Sequence, residues 1–222
     1  VDTSLTNASG QAAIYKIRIP EVSIASVTAM GRRFGFSGEA RSIDGGQKIA
    51  MVNGTGSETK QMIVWAASGA VEYGFVDTER QYPTSSTSLP SEKEAKRISY
   101  EFLKRNDMLP PGYDDFSRIE NSITVSAGNS YNISQNIMGK TTPKAPGYWL
   151  VSFPYRIDNI LATGPGSRIE TSIGNNGEVL KLVWAWRDVS PAYAGNIRSS
   201  ENAYQALTRG EGSIDIPLDS IQ

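Results

Sequence analysis

The 222 residues include no histidine and no cysteine. Their absence excludes a Ser-His-Asp triad, a Cys-His dyad, a histidine general base and metal sites built on imidazole or thiolate. Disulfides are excluded for the same reason. A Ser-Lys dyad, a tyrosine base or a pair of carboxylates would be compatible with the composition, but no local motif favours any of them. We therefore expect a protein that is not an enzyme and has neither a cofactor nor a metal ion.

Charge of one sign and long apolar runs are also missing. The 22 basic and 23 acidic residues nearly cancel, so no basic face for a nucleic-acid partner is indicated. Apolar runs such as Met62–Ala67 are far shorter than the ~18 residues of a membrane span, so no membrane span is expected in this segment.

The chain starts at Val1 with a small, polar stretch that ends at Gly10. Such a stretch is typical of a spacer after a signal peptide or an upstream membrane anchor.

Two clear helix signals lie before Pro110. One helix is expected after Pro20, with Ser23 as its N-cap. The stronger signal begins at Ser91, where Glu94 three residues later predicts a reciprocal capping box. An apolar stripe follows on one face, and Pro110 stops the helix.

A third helix is predicted near the end of the chain. It begins at Ser199 or Ser200 and ends before Gly210, a residue typical of helix C-termini. The spacing of its apolar residues predicts that Ala203 and Leu207 are buried.

Between the helices, alternating apolar residues predict β-strands. The segments are the stretch around Ile14, Ile17 and Ile19, then Gln47–Val52, Met62–Ala67, Ala70–Phe75, Ser122–Ala127, Gly147–Tyr155, Ser167–Ile173 and Glu178–Arg187. A tight turn is expected at Asn175–Gly177, between the last two strands. Pro154 cannot donate to a ladder, which predicts that its strand lies at a sheet edge or is bulged.

This pattern predicts an α+β fold of antiparallel sheets with helices packed on one face. Each half opens with an amphipathic helix and continues with antiparallel strands that include a glycine-turn hairpin. We therefore expect two related αβ units, residues 1–88 and residues 89–222, with the loop Gln81–Ser88 between them.

Aromatic residues form the clusters with the most functional potential. Along Glu178–Arg187, Trp184 and Trp186 share a face with two leucines, which favours burial under a helix over a platform for sugar or peptide. Trp186 lies at the strand end, so we expect it to be the more exposed of the two. The residues predicted for a binding surface are Trp149, Tyr155, Arg156, Trp186 and Arg187.

Acidic residues offer a weaker alternative. Asp114, Asp115 and Glu120 carry oxygen ligands for a divalent cation, but their spacing matches no calcium loop and predicts a solvated turn. Paired carboxylates could also support glycoside hydrolysis, although the separation of side chains across strands cannot be read from a sequence.

Several segments of the second half carry a family resemblance. They are Gly147–Phe153, Gly164–Gly166, Ile169–Ile173, Asn176–Val179, Trp184–Arg187 and Ser199–Leu207. In this order they give a strand, a glycine-turn hairpin, a tryptophan near the strand end and a short helix. The chain thereby resembles PepSY-related extracytoplasmic domains, above all the YycI/YycH-like regulators of a membrane histidine kinase.

The resemblance implies a non-catalytic regulatory domain outside the cytoplasm, secreted or tethered to the membrane upstream. Such a domain acts by binding proteins, including membrane proteins, and the family supplies no catalytic residues. Two alternatives stay open from the residues themselves. One is a module that binds a cell-wall glycan or peptide through exposed aromatics, and the other is a carboxylate-dependent hydrolase.

Overall fold

The structure, a computed structural model, describes residues 10–18, 20–128, 146–157, 160–162, 164, 166–197 and 199–211. The predicted spacer lies outside these residues except for Gly10. The strands are Gly10–Ile17 (β1), Arg41–Ile43 (β2), Lys48–Asn53 (β3), Lys60–Trp65 (β4), Val71–Phe75 (β5), Thr124–Gly128 (β6), Tyr148–Phe153 (β7), Arg156–Ile157 (β8), Ile160–Leu161 (β9), Ser167–Ile173 (β10), Val179–Trp186 (β11) and Val189–Ile197 (β12). The helices are Ile24–Arg33 (α1), Thr78–Gln81 (α2), Glu92–Arg105 (α3), Phe116–Ile119 (α4) and Ser200–Thr208 (α5).

Eight strands form the main sheet, in the order β2-β3-β4-β5-β11-β10-β7-β6. Every neighbouring pair is antiparallel. Helices combined with an antiparallel sheet make an α+β protein, so the predicted fold class is confirmed.

The order of the strands is the same in both halves of the main sheet. In the first half, α1 precedes β2, β3, β4 and β5; in the second half, α3 precedes β6, β7, β10 and β11. Each half runs in chain order from its outer edge inward, and the two last strands meet in the middle. The boundary expected at residues 88 and 89 falls between these half-sheets, and the duplication itself stays a prediction.

Two compact units are present. The larger unit contains the main sheet and takes in the described residues from 20 to 187. The smaller unit takes in 10–18 and the described residues from 188 to 211, where β1 pairs antiparallel with β12 and α5 follows. Each of the two units predicted from the sequence therefore contributes one segment to this smaller unit.

The helix starts agree with the capping residues found in the sequence. Ser23 caps α1 and exchanges hydrogen bonds with Ser26, and the Ser91 hydroxyl accepts a hydrogen bond from the Glu94 backbone N–H. The Glu94 carboxylate does not reach back to Ser91 as a full capping box requires. It accepts hydrogen bonds from Arg97 instead, one turn further along the helix.

Both long helices of the larger unit pack on the same face of the main sheet. Gly31 of α1 lies so close to β4 that an added Cβ would stand 3.2 Å from the Cε of Met62. Ser99 of α3 shares a buried 2.5 Å hydrogen bond with Thr171 of β10. Directly opposed residues on neighbouring strands point to one face. The two contacted residues belong to one row of successive cross-strand partners, Met62, Tyr73, Leu182 and Thr171. Both helices therefore lie on the same face of the sheet.

Aromatic side chains fill the core beneath the helices. Tyr73 of β5 packs against Phe34, Phe36 and Phe102, with ring centroids 5.1 to 6.0 Å apart. These rings come from the segment directly after α1, from β5 in the middle of the sheet and from α3. Their tilted and edge-on geometry is the arrangement that aromatic quadrupoles favour.

One expectation about the sheet edge is wrong. β7 lies in the interior, between β10 and β6, although Pro154 suggested an edge strand or a bulge. The reason is that β7 ends at Phe153, one residue before the proline. The missing N–H therefore costs the ladder no hydrogen bond.

The smaller unit also differs from the expectations. β12 was not predicted; it contains Pro191, and proline is uncommon within strands. α5 has the predicted ends, with Ser199 as N-cap and Gly210 beyond its last turn. However, Ala206 is its buried residue, while Ala203 and Leu207 are exposed. The apolar spacing of this short helix selected the wrong face.

Among the described residues, no helix combines the length and the apolar composition that a bilayer span requires.

Gly74 lies where the two half-sheets meet. It pairs with Lys181 of β11. A Cβ at this position would stand 2.8 Å from the carbonyl oxygen of Leu180 and 3.2 Å from the Lys181 Cα. Both are backbone atoms, which cannot move aside as the end of a side chain can. Any residue other than glycine would therefore force β5 and β11 apart.

We predict that Gly74→Ala lowers the free energy of unfolding by about 1–3 kcal/mol, the usual cost of inserting a methyl group where no space exists. Chemical denaturation followed by circular dichroism measures this change. Gly195→Ala is the matched control, because an added Cβ there meets only the flexible end of Ile14. Equal stabilities for the two variants would contradict the close approach of β5 to β11.

Candidate functional site

The candidate site lies on the face of the main sheet opposite α1 and α3, which we call the open face. Successive side chains of a strand alternate between faces. On β11, Leu182 lies in the core beneath the helices, so Lys181, Val183 and Ala185 point to the open face. On β5 and β4, the same alternation directs Glu72 and Trp65 to that side. All five side chains are half-buried.

One end of the open face is covered by α2 and the residue after it. The side-chain amide of Gln81 lies beside Gly74, 2.9 Å from where a Cβ would be. The Tyr82 hydroxyl accepts a 2.6 Å hydrogen bond from the Lys181 Nζ. The Tyr82 ring also packs edge-on against Tyr148, at a centroid distance of 6.1 Å. This cover fixes Lys181 in place beside the site.

Next to this cover, the open face forms a cavity of about 550 Å³ over the junction of the two half-sheets. We call it the junction cavity. Its volume is within the range of on the order of 300–1,000 Å³ that is typical of ligand sites. Its lining residues are Trp65, Ser68, Ala70, Val71, Glu72, Gly164, Gly166, Arg168, Val183, Ala185 and Arg187.

Two turns with positive φ angles build the walls of the junction cavity. At Gly69 (φ 67°) the chain between β4 and β5 turns against Pro20, and an added Cβ would stand 2.5 Å from its ring. At Gly166 (φ 93°) the turn before β10 leaves room for the Arg187 side chain, whose Nε would stand 2.4 Å from a Cβ. Glycine is the residue that accepts such φ angles without strain. Gly166 thus lets Arg187 lie across the backbone.

The charges of the cavity wall are mostly compensated. Glu72 forms a 2.6 Å ion pair with Lys181 across the junction of β5 and β11. Burial alone would lower the pKa of Lys181, but its hydrogen bonds to Glu72 and Tyr82 outweigh that effect and raise it. Arg168 forms an ion pair with Glu170, two residues further along β10.

Arg187 is the exception. Its side chain is half-buried and lines the cavity, but it has no hydrogen-bond or ion-pair partner in the part of the chain that the structure describes. A half-buried guanidinium without an acceptor is unfavourable, because burial removes water without supplying another partner. This cation is therefore available to a ligand.

Of the residues predicted for a binding surface, Arg187 alone lines the junction cavity. Trp149 is half-buried and donates its indole N–H to the Pro90 carbonyl, 2.8 Å away, ahead of α3. Tyr155 is buried, with its ring centroid 4.0 Å from that of Trp186. Arg156 is exposed in β8 and lies outside the lining of the cavity.

The expected exposure of the two tryptophans on β11 is reversed. Trp186 is 9% exposed and lies between the rings of Tyr113 and Tyr155. Trp184 is half-buried and donates its indole N–H to the Met108 carbonyl at 2.9 Å. The position of a residue at a strand end did not predict its exposure, because the loops beyond the strand supply the covering rings.

Sequence reasoning missed Trp65, Glu72 and Arg168. A signal for Trp65 was present: it alternates with Met62 and Val64, which are buried under the helices. Trp65 therefore had to point to the other face. Glu72 enters the same cavity as Arg187 because β5 pairs with β11. This pairing joins residues more than 100 positions apart, so no local sequence pattern indicated it.

The acidic residues form other structures. Asp115 caps α4 and accepts hydrogen bonds from the backbone and hydroxyl of Ser117, which lower the pKa of its carboxyl. Within the described ranges, no group of three or more acidic side chains is placed to hold a metal ion. Glu101 and Glu178 line a smaller cavity of about 340 Å³ beside α3, where Arg80 pairs with Glu178 at 3.1 Å.

No family model and no curated protein matches the chain. One solved structure, an uncharacterized protein from Eubacterium rectale ATCC 33656, is similar over 91% of this chain with a TM-score of 0.43 and 9% identity. The chain spans 64% of the length of that protein.

The raised pKa of Lys181 predicts a pH-dependent contribution to stability. The folded state holds this proton more tightly than the unfolded state, whose lysines titrate near pH ~10.4. The contribution is complete below that pH and is lost as the pH rises through the folded pKa. We expect the wild type to lose stability in alkali faster than a Glu72→Gln/Lys181→Met double variant.

Urea denaturation at a series of pH values from neutral to strongly alkaline measures this difference. The double variant retains the other lysines, so their titration cancels in the comparison. A stability difference between the two proteins that does not change with pH would contradict the assignment.

Proposed function

We propose that this chain is a non-catalytic interaction domain that acts outside the cytoplasm by binding another protein. The observation that carries the proposal is the junction cavity, with its apolar floor and its uncompensated Arg187 on the open face of the main sheet. Such a combination suits recognition, because apolar area supplies affinity and one charged group fixes orientation.

The rigidity of the surface supports the same function. The apolar floor of the cavity is formed by Val183 and Ala185 of β11, which pairs directly with β5 in the middle of the sheet. A site on paired strands is held more precisely than a site on loops, so a partner does not have to order it on binding. The Glu72–Lys181 ion pair compensates the charge of the acidic side chain among the lining residues of the cavity.

The extracytoplasmic location rests on the sequence. The segments of the second half resemble PepSY-related and YycI/YycH-like regulatory domains, which lie outside the cytoplasm and bind proteins. A tether upstream of Val1 and a membrane protein as the partner belong to the same proposal.

The other two functions weighed from the sequence have less support. A glycan platform would need exposed flat rings, but Tyr155 and Trp186 are buried and pack on each other. A hydrolase would need two carboxylates at one substrate. Glu72 is the carboxylate among the lining residues of the junction cavity, and it is paired with Lys181.

Site-specific photo-cross-linking tests the protein partner. A benzoylphenylalanine at Ser68, on the rim of the junction cavity, is expected to join a discrete protein in the cells that make this protein naturally. The same group at Glu92, exposed at the start of α3, serves as the control. Cross-linking from both positions alike, or from neither, would contradict the proposed surface.

The location can be tested separately, because the chain has no cysteine of its own. A Glu101→Cys variant carries a single thiol on the exposed side of α3. We expect a membrane-impermeant maleimide to label this thiol in intact cells, as measured by mass spectrometry. Labelling only after lysis would place the domain inside the cytoplasm.

A further inference from the structure

The junction cavity has an excess of positive charge. Its ionic lining residues are Glu72, Arg168 and Arg187. Glu72 is balanced by Lys181, and Arg168 is balanced by Glu170. The charge that is left over belongs to Arg187, which has no acceptor among the described residues. The cavity is therefore complementary to a ligand with one negative charge.

The position of Arg187 restricts how that charge is bound. The side chain lies across Gly166, where the absence of a Cβ lets the guanidinium approach the backbone. A guanidinium presents its N–H groups as a planar fork that matches the two oxygens of a carboxylate. A purely apolar ligand would remove water from Arg187 without supplying an acceptor, which is unfavourable. A carboxylate would satisfy the same N–H groups.

The rest of the cavity is suited to an apolar group beside the carboxylate. Val183 and Ala185 contribute aliphatic surface, and the indole of Trp65 forms one wall. The Trp65 N–H has no acceptor within the described part of the chain, so this ring is not fixed by a core hydrogen bond as the indoles of Trp149 and Trp184 are.

We propose that the junction cavity binds an acidic peptide segment of the partner protein, with an apolar side chain against Trp65 and Val183 and a neighbouring carboxylate on Arg187. This inference rests on the proposed function and specifies the chemistry that the partner supplies. Arg187 determines the preference for an acidic segment, and the apolar floor supplies the contact area.

Nuclear magnetic resonance titration with two matched tripeptides tests the proposal. The probes are acetyl-Phe-Glu-Phe-amide and acetyl-Phe-Gln-Phe-amide, which have nearly the same shape and differ by one charge. Amide signals of the cavity residues are expected to shift, and the Glu peptide should bind about tenfold more tightly, as one charge-assisted hydrogen-bonded pair can provide.

Three variants assign the effect to Arg187. Arg187→Gln should bind both peptides equally, and Arg187→Lys, which keeps the charge but loses the fork, should retain part of the preference. Arg118→Gln, an exposed arginine of α4 outside the cavity, should behave like the wild type. If Arg187→Gln does not fold, the Arg187→Lys variant still tests the inference. An unchanged preference of this variant for the Glu peptide would overturn the role assigned to the planar guanidinium.

Shifts outside the junction cavity, no binding, or equal affinity for the two peptides in the wild type would overturn the inference. These outcomes leave the proposed function separately testable. A partner that cross-links from Ser68 without any preference for the acidic peptide would keep the interaction domain and reject only the chemistry assigned to Arg187.

Discussion

β5 and β11 pair antiparallel in the middle of the eight-stranded sheet, with Glu72 opposite Val183 and Tyr73 opposite Leu182. This pairing joins two half-sheets whose helices cover the same face, and it depends on Gly74 for its close approach. The segment that connects the two half-sheets is held in place by polar contacts near both of its ends. Arg80 forms ion pairs with Glu58 and Glu178, and the Asn175 side chain accepts hydrogen bonds from the backbone of residues 87 and 88. Without the central pair, the core aromatics and the cavity would have no common framework.

The junction cavity is a direct consequence of that pairing. Each half-sheet supplies one side of it: Trp65 and Glu72 come from the first, and Arg168, Val183 and Arg187 come from the second. Neither half alone would place Arg187 in one cavity with Trp65 or pair Lys181 with Glu72. The proposed binding surface therefore exists only where the two halves meet, and the stability of the junction and the geometry of the site rest on the same strands.

Local features of the fold were readable from the sequence, and long-range features were not. Ser23, Ser91 and Ser199 start their helices because a capping hydroxyl acts within three residues. The turn at Asn176 and Gly177 has the positive φ angles that this dipeptide favours. By contrast, the interior place of β7 and the pairing of β1 with β12 depend on segments far apart in the chain. The site followed the same division: Arg187 was named from its neighbourhood. The burial of Trp186 under Tyr113 and Tyr155 depended on loops beyond its strand, and the place of Glu72 in the same cavity as Arg187 depended on the pairing of β5 with β11.

The central claim is that a protein partner covers the open face at the junction in the intact protein. Hydroxyl-radical footprinting of Trp65, compared between the protein in its native cells and the purified chain, tests this claim most directly. Trp149 and Trp184, whose indoles are held by backbone carbonyls, serve as internal references. The account predicts that Trp65 is oxidised more slowly in cells than in the purified chain, while the references do not change. Equal oxidation of Trp65 in both samples would contradict it.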